Sequence, residues 1–121
     1  MKVKRKPLVW IGSSLRDLKD CPDDVQDFFG FALDLAQAGS KHKDVKPLRG
    51  FGGAGVLEIL EDFFGETYRA IYTVKFPEAI YVLNVFKKKS KSGIKTPKQE
   101  IDLVIRRLRI AEELHREWLG K

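Results

Sequence analysis

Apolar residues recur along the chain in two periods, and each change of period marks an element. Pro7 to Ile11 (PLVWI) is a short apolar run closed by Gly12 and reads as a first strand. Ser13 can cap a short helix carrying Leu15 and Leu18 and stopping near Asp20, because a serine oxygen can satisfy a backbone N–H left open in the first turn. Pro22 at a first helical position, followed by Asp23 and Asp24, opens a second helix whose acids meet the positive end of its dipole. Val25, Phe28, Phe29, Ala32, Leu33 and Ala36 follow the i, i+3, i+4, i+7 spacing of one buried face, and Gly39 ends the helix.

The period then switches. Ser40 to Gly55 is polar, broken by Pro47 and glycines, and predicts no regular structure. VLEILE after Gly55 reads as a strand, and Asp62-Phe63-Phe64-Gly65 turns the chain into a hairpin of TYRAIYTV and AIYVLNVF, joined at Phe76-Pro77-Glu78. Thr96-Pro97-Lys98-Gln99 has the form of a capping box with proline at the first helical position. It starts a last helix with Ile101, Val104, Ile105, Leu108, Ala111, Leu114 and Trp118 as its buried stripe, and with Glu112, Glu113 and Glu117 able to pair with neighbouring bases. The order of elements predicts one α+β domain over residues 1–121, a small antiparallel β-sheet with two N-terminal helices on one face, a basic groove on the other, and a C-terminal helix.

One charge interrupts the hairpin. Arg69 lies between Tyr68 and Ala70, and a guanidinium on a half-buried strand needs a carboxylate from the protein or a phosphate from a ligand. A symmetric turn that pairs Glu61 with Glu66 sets Glu58 directly opposite Arg69, which is the purely structural account of the arginine. Extending that register places Lys87 opposite Thr67, on the same face. Glu58, Arg69 and Lys87 are then expected together. The exposed pair Phe63-Phe64 at the first turn is either core or an anchor for a partner.

Charge sharpens the picture. From Lys87 to Arg109 there are nine Lys or Arg and two acids, so this segment carries +7 of a net +6 and the remainder −1. Clustered positive charge of this size fits a phosphate backbone or an acidic protein, although most lysine runs in small proteins are only solvated surface. The single cysteine, Cys21, excludes an intramolecular disulfide framework and fits a reducing cytoplasm. No apolar run approaches the roughly 18 residues of a membrane span, so a soluble, cytoplasmic protein is expected.

Several chemistries lack their residues. Neither His42 nor His115 has a histidine or cysteine at ligand spacing, so no metal is expected, and Cys21 before a helix-starting proline reads as a small buried residue rather than a nucleophile. Gly50-Phe51-Gly52-Gly53-Ala54-Gly55 matches the letters G-x-G-x-x-G, but a strand follows where a dinucleotide fingerprint requires a helix, and no cofactor is expected. The loop does carry Lys46 and Arg49, which can reach a ligand. A basic surface with aromatic companions remains, suited to holding a scissile phosphate and stacking splayed bases; RNA cleavage of that kind needs no metal because the 2′-OH is the nucleophile.

VKPLRGFG, GVLEI, TYRAIYTV and AIYVLNVFKKKSKSGIKTPKQEIDLVIRRL closely resemble the phage-derived HigB-like toxins of the RelE/ParE superfamily, over nearly the whole chain. FKKKSKSGIKTPKQEI is the most specific part. The resemblance implies the toxin of a type II toxin-antitoxin system: a ribosome-dependent, metal-independent endoribonuclease (mRNA interferase) that represses translation and is encoded beside a helix-turn-helix antitoxin. It implies the ribosome and mRNA as further partners, and no membrane or small-molecule cofactor. Carried over by position, the strand arginine is Arg69, the post-strand lysines are Lys87, Lys88 and Lys89, and the loop cation is Arg49; Arg69, Lys87 and Lys89 are the candidate catalytic residues, and Arg49 and Lys88, with Lys46 of the loop and Lys91 of the lysine run, the candidate RNA-binding ones. The chain has no tyrosine after Tyr81, where relatives often place an acid, base or stacking group, so the resemblance does not assign the general base. The superfamily also contains ParE-like inhibitors of DNA gyrase, and an inactive antitoxin-binding relative is a third reading.

Overall fold

The computed structural model describes residues 4–53, 55–88 and 96–121. Its elements are β1 (Leu8–Trp10), α1 (Ser14–Lys19), α2 (Asp23–Gln37), β2 (Lys46–Pro47), β3 (Val56–Phe63), β4 (Glu66–Thr73), β5 (Ile80–Lys88) and α3 (Lys98–Leu119). They form a five-stranded sheet of order β1-β5-β4-β3-β2. The sheet is mixed rather than wholly antiparallel: β3, β4 and β5 form the expected meander, while β1 runs parallel to the start of β5, with Leu8 opposite Ile80 and Trp10 opposite Val82. The loop expected to lack regular structure contributes β2, whose Lys46 and Pro47 pair with Glu58 and Leu57. Proline is tolerated there because β2 is an edge strand, where one N–H is not needed by the ladder.

Both faces of the sheet are covered. On one, Val25, Phe29, Ala32, Leu33 and Ala36 of α2 pack against Ile59, Ala70, Tyr72, Ile80, Val82 and Val85, as the helical spacing predicts. On the other, Val104 and Ala111 of α3 pack against Ile11, Leu48, Val56, Ile71, Tyr81 and Leu83. The face expected to hold only a basic groove is therefore shared with α3. The β-bulge between Ile71 and Tyr72 shifts the β4–β5 register, so that Ile71 pairs with Asn84 but Tyr72 with Val82. Arg107 of α3 seals the outer side of that irregularity, donating to the Leu83 carbonyl at 2.9 Å and to Ser13 Oγ at 3.0 Å.

The caps differ from the sequence reading. Ser13 precedes α1 but its hydroxyl donates to Asp17 Oδ2 (2.7 Å) instead of capping, and Pro22 is the N-cap of α2. Thr96 does not cap α3: Pro97 is the N-cap, and the threonine hydroxyl is drawn elsewhere. Leu114 and Trp118, expected in the buried stripe, are 43% and 47% exposed. The deepest line of α3 runs through Val104, Ala111 and His115, and Leu114 is rotated about 100° from His115 around the axis. His115 is fully bonded in this line, with Nδ1 2.9 Å from the Tyr81 hydroxyl and Nε2 2.7 Å from Glu78 Oε1.

The first hairpin turn has two residues, Phe64 and Gly65, between paired Phe63 and Glu66. Both have positive φ, 51° and 79°, the type I′ geometry that matches strand twist. Phe64 is 90% exposed and Phe63 joins the core's edge, so the two rings divide between surface and interior. Replacing Phe64 with Asn, which tolerates left-handed backbone, should stabilise the fold by about 0.5–1 kcal/mol in urea melts, since a bulky L-residue at that φ is strained.

Tyr72 supplies a second expectation. Burial pushes its hydroxyl from an ordinary 10.0 up to about 12, and that oxygen has no hydrogen-bond partner among the described residues. The raised folded value means stability complete below pH 10 and lost as pH rises toward 12, by about 1.4 kcal/mol per unit, because the unfolded tyrosine ionises first. Tyr72→Phe should lack this alkaline loss and gain up to about 1 kcal/mol at neutral pH. Paired urea melts at pH 7 and pH 11 check both, and a destabilised Phe variant would show that the hydroxyl is satisfied.

Candidate functional site

Arg69 pairs across the sheet with Leu60 and Phe86, not with Glu58, which faces Ile71. The two-residue turn moves the β3–β4 register by two positions from the symmetric four-residue turn. Because side chains alternate with period two, a two-residue shift keeps Glu58 on the same face as Arg69, as a diagonal neighbour. The ion pair forms nonetheless, with Arg69 Nη1 3.0 Å from Glu58 Oε2. Thr96, just ahead of α3, closes the triangle: it accepts from Arg69 Nη1 at 3.0 Å and donates to Glu58 Oε2 at 2.9 Å.

The β-bulge between Ile71 and Tyr72 shifts the lysines by one residue. Lys87 lies opposite Tyr68 and Lys88 opposite Thr67, so the pairing expected of Lys87 belongs to Lys88. A one-residue difference reverses faces. Lys87 is on the α2 face, bound to Glu66 at 2.9 Å, and the ammonium's affinity for that carboxylate raises its pKa. Lys88 is on the Arg69 face and only 7% exposed; burial, and then the nearby Arg69 charge, hold its pKa below the ordinary lysine value, with Glu58 pulling the other way.

β2 completes the face. Lys46 is paired with Glu58 and exposed, and Arg49 is exposed just beyond it. One end of the sheet, beside the start of α3, thus brings together Lys46, Glu58, Arg69, Lys88 and Thr96. Lys87 is not among them, and Lys89 and Lys91 lie outside the described residues. Arg69 is 1% exposed, so in this conformation its guanidinium organises Glu58 and Thr96 rather than meeting solvent. Glu58 and Thr96 were not candidates from sequence as site residues; Glu58 was legible only as an ion-pair partner, and Thr96 was masked by its resemblance to a cap.

Elsewhere, Cys21 is half-buried, its thiol 3.4 Å from the Asp17 carbonyl, and burial followed by Asp20 and Asp17 pushes its pKa up, away from a nucleophile's. Among the described residues no group of three His, Cys, Asp or Glu is placed to hold a metal ion, and no helix is long and apolar enough to cross a membrane.

The family model for Phage derived protein Gp49-like (DUF891) matches residues 16–109. The chain belongs to this phage-derived Gp49-like family. Its fold is that of the toxin RelE: a structure of an E. coli RelE mutant with two arginines replaced by alanine, in the free state, superposes with a TM-score of 0.62. The match covers 85% of this chain and 97% of that chain at 15% identity. No curated protein matches the chain. In this Gp49-like protein the matched region contains every residue of the Lys46–Glu58–Arg69–Lys88–Thr96 cluster.

The triangle predicts strong coupling. An exposed cross-strand pair contributes at most about 1 kcal/mol, whereas removing one partner of a buried pair costs about 3 kcal/mol or more. Arg69→Met should destabilise by about 3 kcal/mol, Glu58→Gln by less, and the double mutant by less than their sum. Denaturant melts of the four proteins measure this; additive effects would mean the contacts are not energetically joined.

Proposed function

We propose that this Gp49-like protein is the toxin of a type II toxin-antitoxin pair and acts as a ribosome-dependent, metal-independent endoribonuclease, held in check by a helix-turn-helix antitoxin. The observation that carries the reading is the Glu58 carboxylate. Oε2 accepts from both Arg69 and Thr96, while Oε1 has no protein partner among the described residues, on a face that also carries Lys46 and Lys88. A fixed carboxylate among cations can serve a 2′-OH attack on a phosphodiester, as proton acceptor beside groups that stabilise the phosphorane.

In this reading Glu58 Oε1 takes the 2′-OH proton as the oxygen attacks phosphorus. Lys46 and Arg49, both exposed, hold the phosphate, and Lys88 balances charge on the phosphorane. The 5′-oxygen leaves with a proton from Lys88, whose lowered pKa makes it a stronger acid than an ordinary lysine. The products are a 2′,3′-cyclic phosphate and a 5′-hydroxyl. Arg69 is a positioning residue, and Lys89 and Lys91, which lie outside the described residues, keep the RNA-facing roles expected of them from the sequence. The same cations offer an acidic antitoxin segment its complement.

Brief expression followed by mapping of transcript ends tests the proposal. Wild type should arrest growth and cut mRNA in phase with the ribosome; Glu58→Gln should cut about 10²–10⁴-fold more slowly while retaining its circular dichroism spectrum. The alkaline limb of the rate, falling as pH rises through the Lys88 value, should lie below the ordinary 10.5 and disappear in Lys88→Met. DNA breaks without RNA cuts would instead indicate a gyrase inhibitor, and normal cleavage by Glu58→Gln would remove the carboxylate from the mechanism.

A further inference from the structure

Helix α3 carries a second apolar line that the described residues leave uncovered. Ile110, Leu114 and Trp118 repeat every fourth residue and are 47%, 43% and 47% exposed. Their repeat follows one side of the helix, adjacent to the buried line of Val104, Ala111 and His115. Toward the N-terminus the side is closed by Arg107, bound to Ser13 and Leu83; toward the C-terminus it is open.

The charges beside this line are segregated. Arg106 and Arg109 flank its N-terminal half, and Glu113 and Glu117 its C-terminal half, and all four are exposed. Arg109 and Glu113 are spaced to pair within the helix, as Glu113 and Arg116 are, yet the contacts described for this helix's C-terminal half join Glu112 to Lys75 and His115 to Glu78 across to the chain after β4. Among the described residues no ion pair takes Arg106, Arg109, Glu113 or Glu117. A uniformly acidic or basic partner helix would be attracted by one half and repelled by the other.

We propose that this face seats a second copy of the chain, in a two-fold antiparallel pairing of α3 with α3. With the axis between Ile110 and Leu114, Ile110 meets the partner's Leu114, Arg106 lies beside the partner's Glu117, and Arg109 lies near the partner's Glu113. Every such contact occurs twice. A parallel pairing would set arginine against arginine and is excluded by the same charges. The apolar area on each copy is modest, so the dimer falls at the low end of specific interfaces, roughly 1,000 Å² in total, and dissociates on the order of 10–100 µM. Its centre is about 14–18 residues along α3 from Thr96, about 21–27 Å at helical rise, so pairing leaves the Lys46–Glu58–Lys88 face open.

Sedimentation equilibrium of the purified full chain, from about 5 to about 500 µM, tests this. Wild type should show a reversible monomer–dimer equilibrium that stops at the dimer. Leu114→Glu, at an exposed position, should be monomeric with an unchanged circular dichroism spectrum. Arg106→Glu should weaken dimerisation about tenfold or more by setting like charges together at two symmetric places, and Arg106→Glu combined with Glu117→Arg should restore it. A monomer at every concentration, association that continues beyond the dimer, or a double reversal that fails to recover would each overturn the proposal. So would a monomeric wild type whose antitoxin affinity is lost in Leu114→Glu, which would assign the face to that partner.

Discussion

A guanidinium taken out of water beside a β-sheet persists only if its charge and its donors are met, and Arg69 meets them with a carboxylate from the next strand and a hydroxyl ahead of the last helix. That requirement joins three separate parts of the chain. β3 must hold Glu58 within a diagonal step of β4, and the chain before α3 must return far enough over the sheet for Thr96 to reach both groups. The site follows from this closure: Lys46 is carried to Glu58 by β2, and Lys88 arrives by its pairing with Thr67. Glu58 is therefore the counter-charge that lets Arg69 be buried and, in the proposed reaction, the proton acceptor.

The helices divide their work along the sheet. α2 covers its face almost purely with apolar side chains, whereas α3 covers only part of the opposite face and leaves the end near Thr96 to charged residues. A buried helix on both faces stabilises the meander, and incomplete coverage by α3 leaves a margin that carries Lys46, Arg69 and Lys88. The far half of α3 is tied down differently, through the Tyr81–His115–Glu78 chain and the Lys75–Glu112 pair. Anchoring on one side leaves its other side, with Ile110 and Leu114, turned away from the core.

Element type and order were legible because they rest on local periodicity. The 3.6-residue repeat of α2, the apolar runs of β3 to β5 and the proline ahead of α3 each act over a few neighbours. The family likeness was legible for a related reason, since FKKKSKSGIKTPKQEI is a contiguous stretch. The presence of an Arg69–Glu58 pair also survived, although the register behind it was off by two, because a shift of two leaves a side chain on its own face.

What required tertiary structure was everything that turns on a single residue of register or on a choice between bonding partners. Whether Lys87 or Lys88 shares a face with Arg69 depends on the β-bulge between Ile71 and Tyr72, where one extra residue in β5 shifts the register by one and no local pattern announces it. Thr96 reads as a cap in any sequence, and only the approach of Glu58 from strand β3 draws its hydroxyl away. The sequence by itself thus determined the elements other than β2, their order and the sign of the surface charge, since these are sums over neighbouring residues. Tertiary structure decided which lysine shares the face of Arg69 and Glu58 and drew Thr96 to both, because these depend on strand register and on contacts 27 and 38 positions apart, where no local pattern reaches.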